Sequence, residues 1–484
     1  MTAHTDDTEA DQHRVGEEPP SAGIADASVT APAERPTERA RPAVRSRRRR
    51  RGPLAALKRA TVLAHRWVSI VLGLLLVVIT TSGAAVVFSP EWTRWTNSST
   101  FEVTRSADPV SMARAVQIVA AAHPSFEPGS VNLYSGLYEV SSADAEAHPG
   151  FYGVDPGSGR ITGYVNTGRG VMAFLNQVHE CFFTCDGYPG YVKFLKDPVP
   201  TLGMHWLKGV SWGGLLLGAA GLMLIFLGVS GIWLWWPTLK KFSHGFRIRR
   251  GKGRYARDYD LHQVIGMAAI PFLLMWGLTG ANFEFHWVST AWYAVTGGDA
   301  TAPERFASNP VKDTRTPDIG LDAAITAARA QAGPGATLVF ASLPAADDAT
   351  ATYNFYFSKD FDQYRHGAYP GQYGVEVDRH DATHRHVNDL GTAATLSNRL
   401  LDRWGAPLFH YGQSFNGWWR LIWFAFGLTP LLLAITGMST WLFKRTVKKR
   451  RRAAVAASGS VSGSASGPDE TAGAPVEQSE AAAR

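Results

Sequence analysis

Four histidines lie at matching distances from a later glycine, and they are the residues in this sequence best suited to hold a metal or cofactor. In each case a serine or threonine directly precedes the glycine. The four pairs are His65 with Gly83, His205 with Gly231, His262 with Gly280, and His410 with Gly437. The first and third intervals are both 18 residues, and the other two are 26 and 27 residues. Imidazole is a common metal ligand, so the spacing predicts a repeated cofactor site.

Each histidine begins or precedes an apolar stretch long enough to cross a bilayer, which takes about 20 helical residues. The four stretches are residues 64–89, 205–236, 261–286 and 410–443. Tryptophans stand near their ends, where amphipathic rings favour the headgroup region. The sequence therefore predicts an integral membrane α-helical protein with four transmembrane helices. A cleaved signal peptide is an alternative for the first stretch, but its apolar run is too long for one.

The basic residues predict how these helices are oriented. The net charge of +7 comes from clusters beside the apolar stretches, a distribution that argues against nucleic-acid binding. Loops rich in Lys and Arg remain in the cytoplasm. The tails 1–52 and 444–484, both expected to be disordered, and the loop 237–260 should therefore lie on the cytoplasmic side of an inner or plasma membrane. Residues 90–204 and 287–409 should lie outside.

This topology sorts the four histidines into two pairs. His65 and His262 begin spans at the cytoplasmic face, whereas His205 and His410 precede spans at the outer face. Two imidazoles on facing helices can ligate one haem iron axially, and such ligation suits electron transfer rather than oxygen chemistry. The covalent haem signature Cys-x-x-Cys-His is absent from the sequence. We therefore expect two molecules of haem b, one near each face.

Other histidines are alternative candidates. His179 in the first outer segment could replace His205 as a ligand, and so could His286 at the end of the third span. Three histidines within residues 380–386 could hold a metal ion, although a solvated loop is the simpler interpretation.

Several kinds of site are missing from the sequence. Two cysteines in 484 residues exclude a disulfide-rich scaffold, although Cys181 and Cys185 face an oxidising compartment in this topology and could bridge. No Walker motif occurs, and no Gly-x-Gly-x-x-Gly follows a strand. The cytoplasmic loop is also too short for a flavin or nicotinamide domain. Electrons must therefore come from a separate donor: a quinol, a flavodoxin or a soluble reductase.

Both outer segments show the same order of predicted elements, which indicates a two-fold internal repeat. Each has a helical stretch, a strand-like run, and then Tyr-Gly-Val followed by an acidic residue. The acidic residues are Asp155 in the first segment and Glu376 in the second. We expect each segment to form a small extracytoplasmic α+β domain, with a short helix against an antiparallel sheet.

Short motifs around the four histidines give the sequence a family resemblance. They are His65-Arg-Trp, Met204-His205, Ser230-Gly-Ile-Trp-Leu-Trp-Trp-Pro237, Leu261-His262-Gln-Val-Ile-Gly266 and Phe409-His410-Tyr-Gly412. In this order and spacing, they resemble the PepSY-associated transmembrane family over residues 55–450. That family includes iron-regulated membrane proteins and inner-membrane ferrisiderophore reductases. The resemblance implies two PepSY-like domains on a four-helix base, and haem at His65, His205, His262 and His410.

These observations predict a transmembrane haem protein that passes electrons from a cytoplasmic or quinol donor to an extracytoplasmic acceptor. The resemblance implies that the acceptor is a ferric siderophore and that the protein is a ferric-chelate reductase used in iron uptake. One alternative is a non-enzymatic module whose PepSY-like domains bind or regulate an extracytoplasmic protein such as a peptidase. Another is a haem- or metal-handling protein without sustained redox turnover.

Candidate substrate residues lie at the junction between the outer segments and the fourth span. Arg403, Trp404 and Arg420 are cationic or aromatic. Planar, donor-rich guanidinium groups and aromatic faces suit anionic chelates. We therefore expect these three residues to contact the ferric chelate.

Overall fold

The computed structural model describes residues 52–236, 239–301, 306–309, 316–358, 373–389, 395–403, 405–412 and 417–461. The helices are α1 (Pro53–Val86), α2 (Ser89–Thr96), α3 (Met112–Ala122), α4 (Gly170–Asn176), α5 (Lys193–Lys196), α6 (Trp212–Trp235), α7 (Gly253–Glu284), α8 (Trp287–Thr296), α9 (Gly320–Ala332), α10 (Leu396–Asn398), α11 (Gly417–Gly427) and α12 (Thr429–Val461). The strands are β1 (Pro128–Tyr134), β2 (Leu137–Ser142), β3 (Gly150–Val154), β4 (Ile161–Asn166), β5 (Thr337–Ser342), β6 (Thr352–Ser358), β7 (Tyr373–Asp378) and β8 (Arg385–Asp389). Short 3-10 or π-helical turns cover Ser98–Phe101, Gln177–Cys181, His205–Leu207, Leu239–Phe246, Arg399–Arg403 and Gly405–His410.

Four long apolar helical segments of the described chain could cross a membrane. They are α1, α6, α7 and the pair α11–α12, which is broken at Leu428 just before Pro430. Proline cannot donate to the helical ladder, which explains a break there. In the bundle α1 packs on α6 and α12, and α7 packs on α6 and α12. The protein is thus a multi-pass membrane protein.

Small residues let α6 and α7 approach closely. A Cβ added at Gly221 would lie 2.6 Å from the Ala281 nitrogen, and one at Gly277 would lie 2.8 Å from the Gly221 oxygen. Helices in lipid associate through van der Waals contact and interhelical hydrogen bonds, which close backbone approach favours. This pair fixes the spacing between two of the helices that carry the candidate site.

The ends of the spans differ from the sequence expectation. The first helix begins at Pro53 rather than near residue 64, and the second begins at Trp212 rather than at His205. The segment expected to be disordered from residue 444 instead continues α12 to Val461. Its Ala, Lys and Arg residues are strong helix formers. The expected disorder of residues 1–51 and 462–484 falls outside the described residues.

The eight strands of the described residues form one antiparallel sheet, in the order β4-β3-β2-β1-β5-β6-β7-β8. The sequence predicts two small α+β domains, and the sheet content fits them. Their strands β1 and β5 pair at the centre of the sheet, with Val131 opposite Ala341. Each of these strands would otherwise be an exposed edge with unpaired backbone groups. The helices α3 and α9 cover one face, where the fully buried Val131, Val140, Phe355 and Phe357 form the core.

Two aspartates at strand ends make similar contacts. Asp155 accepts the backbone N–H of Thr104 and that of its own turn, at 2.9 and 3.0 Å. Asp378 accepts the backbone N–H of Asn309 and that of its own turn, both at 2.8 Å. Asp378 stands two residues after Glu376, the residue that the Tyr-Gly-Val runs align with Asp155.

Candidate functional site

His65 and His262 lie together at the end of the bundle away from the sheet, which we call the far end. The Nδ1 atom of His65, on α1, is 2.7 Å from the Ser230 hydroxyl of α6. The Nδ1 atom of His262, on α7, is 3.1 Å from both the Thr436 hydroxyl and the Leu433 carbonyl oxygen of α12. The two imidazoles are close enough for the charge of one to act on the other.

His179 and His410 lie together at the opposite end, next to the sheet, which we call the sheet end. Their ring centres are 6.0 Å apart and their planes are inclined by 33°. The Nδ1 atom of His179 is 2.7 Å from the Ile79 carbonyl oxygen of α1. The Nδ1 atom of His410 is 2.7 Å from the Thr279 hydroxyl of α7. Both histidines lie just before or between helices rather than within a span.

His205, which the sequence pairs with His410, belongs to neither cluster. It lies in the exposed turn His205–Leu207, ahead of α6. The helix starts only after Ser211, whose hydroxyl accepts the Gly214 N–H at 3.0 Å and caps it. The turn therefore holds His205 in solvent, and the alternative candidate His179 takes the place beside His410. His286 is exposed at the corner between α7 and α8.

In all four clustered histidines the Nδ1 atom is engaged by a neighbouring helix. Since a carbonyl oxygen can only accept, His179 and His262 donate from Nδ1. A neutral imidazole with its proton on Nδ1 presents the lone pair of Nε2 to a metal. Such hydrogen bonds fix the ring orientation and tautomer of metal-ligating histidines. The rings of His179 and His262 are therefore prepared for ligation through Nε2.

The Ser and Thr hydroxyl groups that contact the imidazole rings are also functional candidates, although the sequence motifs gave them no role. Ser230, Thr279 and Thr436 each directly precede one of the repeated glycines, and that recurrence was the available signal.

The glycines themselves make room for the imidazoles. A Cβ at Gly83 would overlap the His179 ring. A Cβ added at the other three glycines would lie 3.9 Å from the His65 ring at Gly231, 3.7 Å from the His410 ring at Gly280, and 3.3 Å from the His262 ring at Gly437.

The sheet-end pair has a separation that fits a metal ion between two imidazoles. Metal–imidazole bonds of about 2 Å place the two nitrogens about 4 Å apart and the ring centres somewhat further. The observed distance between ring centres is 6.0 Å. Within the described residues there is no group of three or more His, Cys, Asp or Glu side chains for a bare metal ion. Two imidazoles at each site suit an iron whose remaining ligands come from a porphyrin.

The two pairs lie far apart along the bundle. Eighteen residues separate His65 from Gly83, against which His179 packs, and this corresponds to about 27 Å of α-helix. Aromatic rings occupy the region between the pairs. Phe272 stacks on Phe426 with ring centres 3.9 Å apart and meets Trp423 at 5.3 Å. The middle of the bundle is therefore apolar and aromatic.

A family model described as PepSY-associated TM region matches residues 62–444. That range contains both histidine pairs, all eight strands and most of the four spans. The chain belongs to the PepSY-associated transmembrane family. A search of curated proteins finds no match.

In this PepSY-associated protein a short π-helical turn, Gln177–Cys181, presents His179. The buried Gln177 side chain donates to the Cys185 carbonyl at 2.9 Å and accepts the Cys185 N–H at 3.2 Å. Cys181 and Cys185 form a disulfide across the same loop. The turn is thus fastened on both sides of His179, and it packs on α1.

Of the three candidate substrate residues, only Arg420 has a described side chain. Trp404 lies outside the described residues, and of Arg403 only the backbone, in a π-helical turn, is described. Arg420 is only 1% exposed, so its guanidinium does not face solvent. Its Nη1 lies 2.6 Å from a Glu91 carboxylate oxygen.

The histidines of residues 380–386 serve as loop contacts. The Nδ1 atom of His384 is 2.8 Å from the buried Asp378 carboxylate, and that of His380 is 3.2 Å from the Pro317 carbonyl oxygen. Burial acts to raise the pKa of Asp378, but backbone N–H groups and His384 lower it below its usual value. These contacts occupy Nδ1 of His380 and of His384.

Proposed function

We propose that this protein is a transmembrane haem b electron carrier that reduces an extracytoplasmic ferric chelate, most simply a ferric siderophore. The observation that carries the proposal is the presence of two histidine pairs at opposite ends of one four-helix bundle. All four rings have Nδ1 held by a neighbouring helix. A protein that used these histidines only as interfacial hydrogen-bonding groups would not need to pair them.

In the proposal His65 and His262 ligate one haem iron and His179 and His410 ligate the second, each through Nε2. Bound haem supplies one-electron exchange between ferric and ferrous iron. Ser230, Thr279, Thr436 and the carbonyl oxygen of Ile79 hold the rings in the ligating orientation. The glycines beside the rings keep space for the ring and for a flat macrocycle.

The proposed direction of electron flow follows from the distribution of charge and folded mass. Arg and Lys residues flank the far end, which predicts that it is cytoplasmic and that both termini lie there, in an inner or plasma membrane. The donor would be a quinol or a soluble reductase. One quinol releases two electrons and two protons, so its oxidation would reduce two ferric chelates to ferrous chelates at the sheet end.

We also propose that the chain is an internal two-fold repeat. Each half has a span, an outer helix, four strands and a returning span, in the same order. The central pairing of β1 with β5 places the two four-stranded halves side by side in antiparallel orientation. The equivalent contacts of Asp155 and Asp378 support the same correspondence.

An absorption spectrum of the purified full-length protein tests the haem assignment. We expect sharp α and β bands after dithionite reduction and two haems per chain. His65→Ala or His262→Ala should remove the far-end haem, and His179→Ala or His410→Ala the sheet-end haem. His205→Ala and His286→Ala are matched controls, because both side chains are exposed, and they should retain both haems.

The outcomes separate the proposal from its alternatives. No low-spin haem after haem-replete expression would favour a non-enzymatic module that binds an extracytoplasmic protein. Loss of haem in His205→Ala, with full haem in His179→Ala, would restore His205 as the ligand. Haem that cannot be re-oxidised by any acceptor would indicate haem handling without redox turnover.

The acceptor needs its own experiment. Protein in liposomes, reduced with dithionite, should be re-oxidised faster by ferric siderophores than by other oxidants of similar potential. Equal rates with all acceptors would reject ferric siderophores as the substrate class and leave the electron carrier in place.

A further inference from the structure

Arg420, in the first turns of α11, is a buried cation with unused hydrogen-bond donors. Its side chain is 2% exposed, and Nη1 donates to Glu91 at 2.6 Å and to the Val87 carbonyl at 3.2 Å. The Nε and Nη2 atoms are also buried, and neither has a hydrogen-bond partner among the residues that the structure describes. A guanidinium does not lose its proton in a protein. Burying such donors unpaired costs free energy, so their position calls for an acceptor.

One hydrogen bond and one neighbour on its own helix connect Arg420 to the elements that carry the sheet-end histidine pair. Its partner Val87 lies one helical turn beyond Gly83, which touches the His179 ring. On the other side, Trp423 lies one turn further along α11 from Arg420. Trp423 donates to the Phe409 carbonyl oxygen at 3.0 Å, directly before His410. Arg420 is therefore linked to each proposed ligand of one haem through two intervening residues.

The geometry of the unused donors indicates what they bind. The Nε and Nη2 atoms form one edge of the guanidinium, which matches the two oxygens of a carboxylate. Glu91 already occupies the Nη1 side, and its own side chain is 47% exposed. A ferric chelate in solvent would have to enter an almost completely enclosed site to reach Arg420. A carboxylate on a cofactor held between His179 and His410 would already lie inside the protein.

We propose that Arg420 binds a propionate of the sheet-end haem through Nε and Nη2, and is not a contact for the ferric chelate. This inference rests on the proposed haem function. Glu91 and Val87 then act as positioning groups that hold the guanidinium toward the haem. The arrangement would also tie α11, α1 and the haem together at the end where electrons leave.

Haem b and its dimethyl ester, which lacks both carboxylates, provide the test. Full-length protein stripped of haem would be titrated with each compound, and the affinity of the sheet-end site would be measured. We expect wild type to prefer haem b by about 10- to 100-fold, as for charge-assisted hydrogen bonds. Arg420→Gln should reduce this preference to near unity. The substitution and the ester groups remove the same interaction, so once Arg420 is lost the esters cost nothing further.

Arg94→Gln is the matched control, because Arg94 is an exposed cation on the neighbouring helix α2. It should retain the wild-type preference for haem b. The far-end haem reports folding in every variant. If Arg420→Gln loses the far-end haem, the titration uses Arg420→Lys instead. That variant should show an intermediate preference for haem b.

The results distinguish failure of this inference from failure of the proposed function. A wild-type protein that binds no haem at either end would overturn both. Two bound haems and an equal preference for haem b in wild type and Arg420→Gln would overturn only the propionate contact. That result would mean that water satisfies the two donors.

Discussion

At the scale of single residues, each candidate ligand depends on one hydrogen bond that the sequence does not reveal. Ser230 lies 165 residues from His65 in the chain, yet their side chains meet at 2.7 Å. An imidazole without such a partner can rotate and exchange tautomers, so Nε2 would be less often available. The serine and threonines that bond three of the four rings are therefore as relevant to cofactor retention as the histidines.

We predict that Ser230→Ala weakens haem binding at the far end by about 10- to 100-fold and leaves the sheet-end haem bound. Haem titration of each site, resolved by its α band or reduction potential, measures this. Thr81→Val is the control, because the Thr81 hydroxyl bonds only carbonyl oxygens of its own helix. Unchanged far-end affinity in Ser230→Ala would remove this serine from the site.

The glycines give a second prediction with an internal control. Gly83→Ala should displace His179, because the new Cβ would overlap its ring, and haem content at the sheet end should fall to less than half. Gly280→Ala faces the same haem but leaves 3.7 Å to the His410 ring, an ordinary contact. It should retain most of the haem. Equal haem content in the two variants would show that ring crowding at Gly83 is not limiting.

At the scale of elements, the turn Gln177–Cys181 is the part of the site that depends most on its surroundings. It is only five residues long, and it holds His179 through the disulfide and the two Gln177 hydrogen bonds. The other three histidines lie on long helices or next to them. Loosening this turn should therefore affect one haem only.

We predict that Cys181→Ser with Cys185→Ser lowers sheet-end haem content and leaves far-end haem unchanged. The disulfide closes a very short loop, so its contribution to global stability is small, but it restricts the segment around His179. Gln177→Ala should have the same effect through loss of two buried hydrogen bonds, with a cost of about 1–3 kcal/mol. Normal sheet-end spectra in both variants would show that packing on α1 alone holds the turn.

The strand β2 carries a pH-dependent group. Burial raises the pKa of Glu139 from 4.5 to about 7, although the Asn132 side chain, which donates to it at 3.1 Å, acts to lower it. The folded protein therefore keeps this proton while the unfolded chain releases it, and stability falls as the pH rises from about 4.5 to about 7.

We predict that Glu139→Gln removes this loss of stability with rising pH and stabilises the sheet at pH 8 by about 1–2 kcal/mol. Thermal unfolding in detergent at pH 5 and pH 8 measures the difference. Glu127→Gln is the control, because Glu127 is exposed in the same segment. A wild-type slope that persists in Glu139→Gln would assign the pH dependence to another group.

At the scale of the whole molecule, one sheet joins the two halves of the chain. Pairing of β1 with β5 joins the described strands into a single eight-stranded sheet at one end of the four helices. The two proposed haems therefore share one scaffold.

The orientation of this scaffold is open to a direct test. Ala145→Cys, an exposed position between β2 and β3, should react with an impermeant thiol reagent added to intact cells. Ser243→Cys, in the exposed basic turn after α6, should react only after permeabilisation. The reason is the Lys and Arg bias around the spans. The reverse labelling pattern would invert the membrane topology and the proposed direction of electron flow.

The sequence by itself determined the features that depend on local pattern. Long apolar stretches must become spans, because only helices and closed barrels satisfy the backbone in lipid. The spacing of His65, His262 and His410 from the Ser/Thr-Gly pairs likewise identified three of the four clustered histidines. The family membership followed from the order of the same motifs.

The tertiary structure decided which histidines meet. His179 and His205 both precede the second span, and the 26-residue interval from His205 to Gly231 favoured His205. The choice depends on Ser211, which starts α6 after His205, and on a π-helical turn that packs on α1 one hundred residues earlier. Likewise, β1 and β5 are more than 200 residues apart, and their pairing satisfies backbone groups at two strand edges. Local sequence patterns do not show which strand edges will pair. Contacts of this range depend on the folded arrangement of whole elements, and local sequence patterns do not encode it.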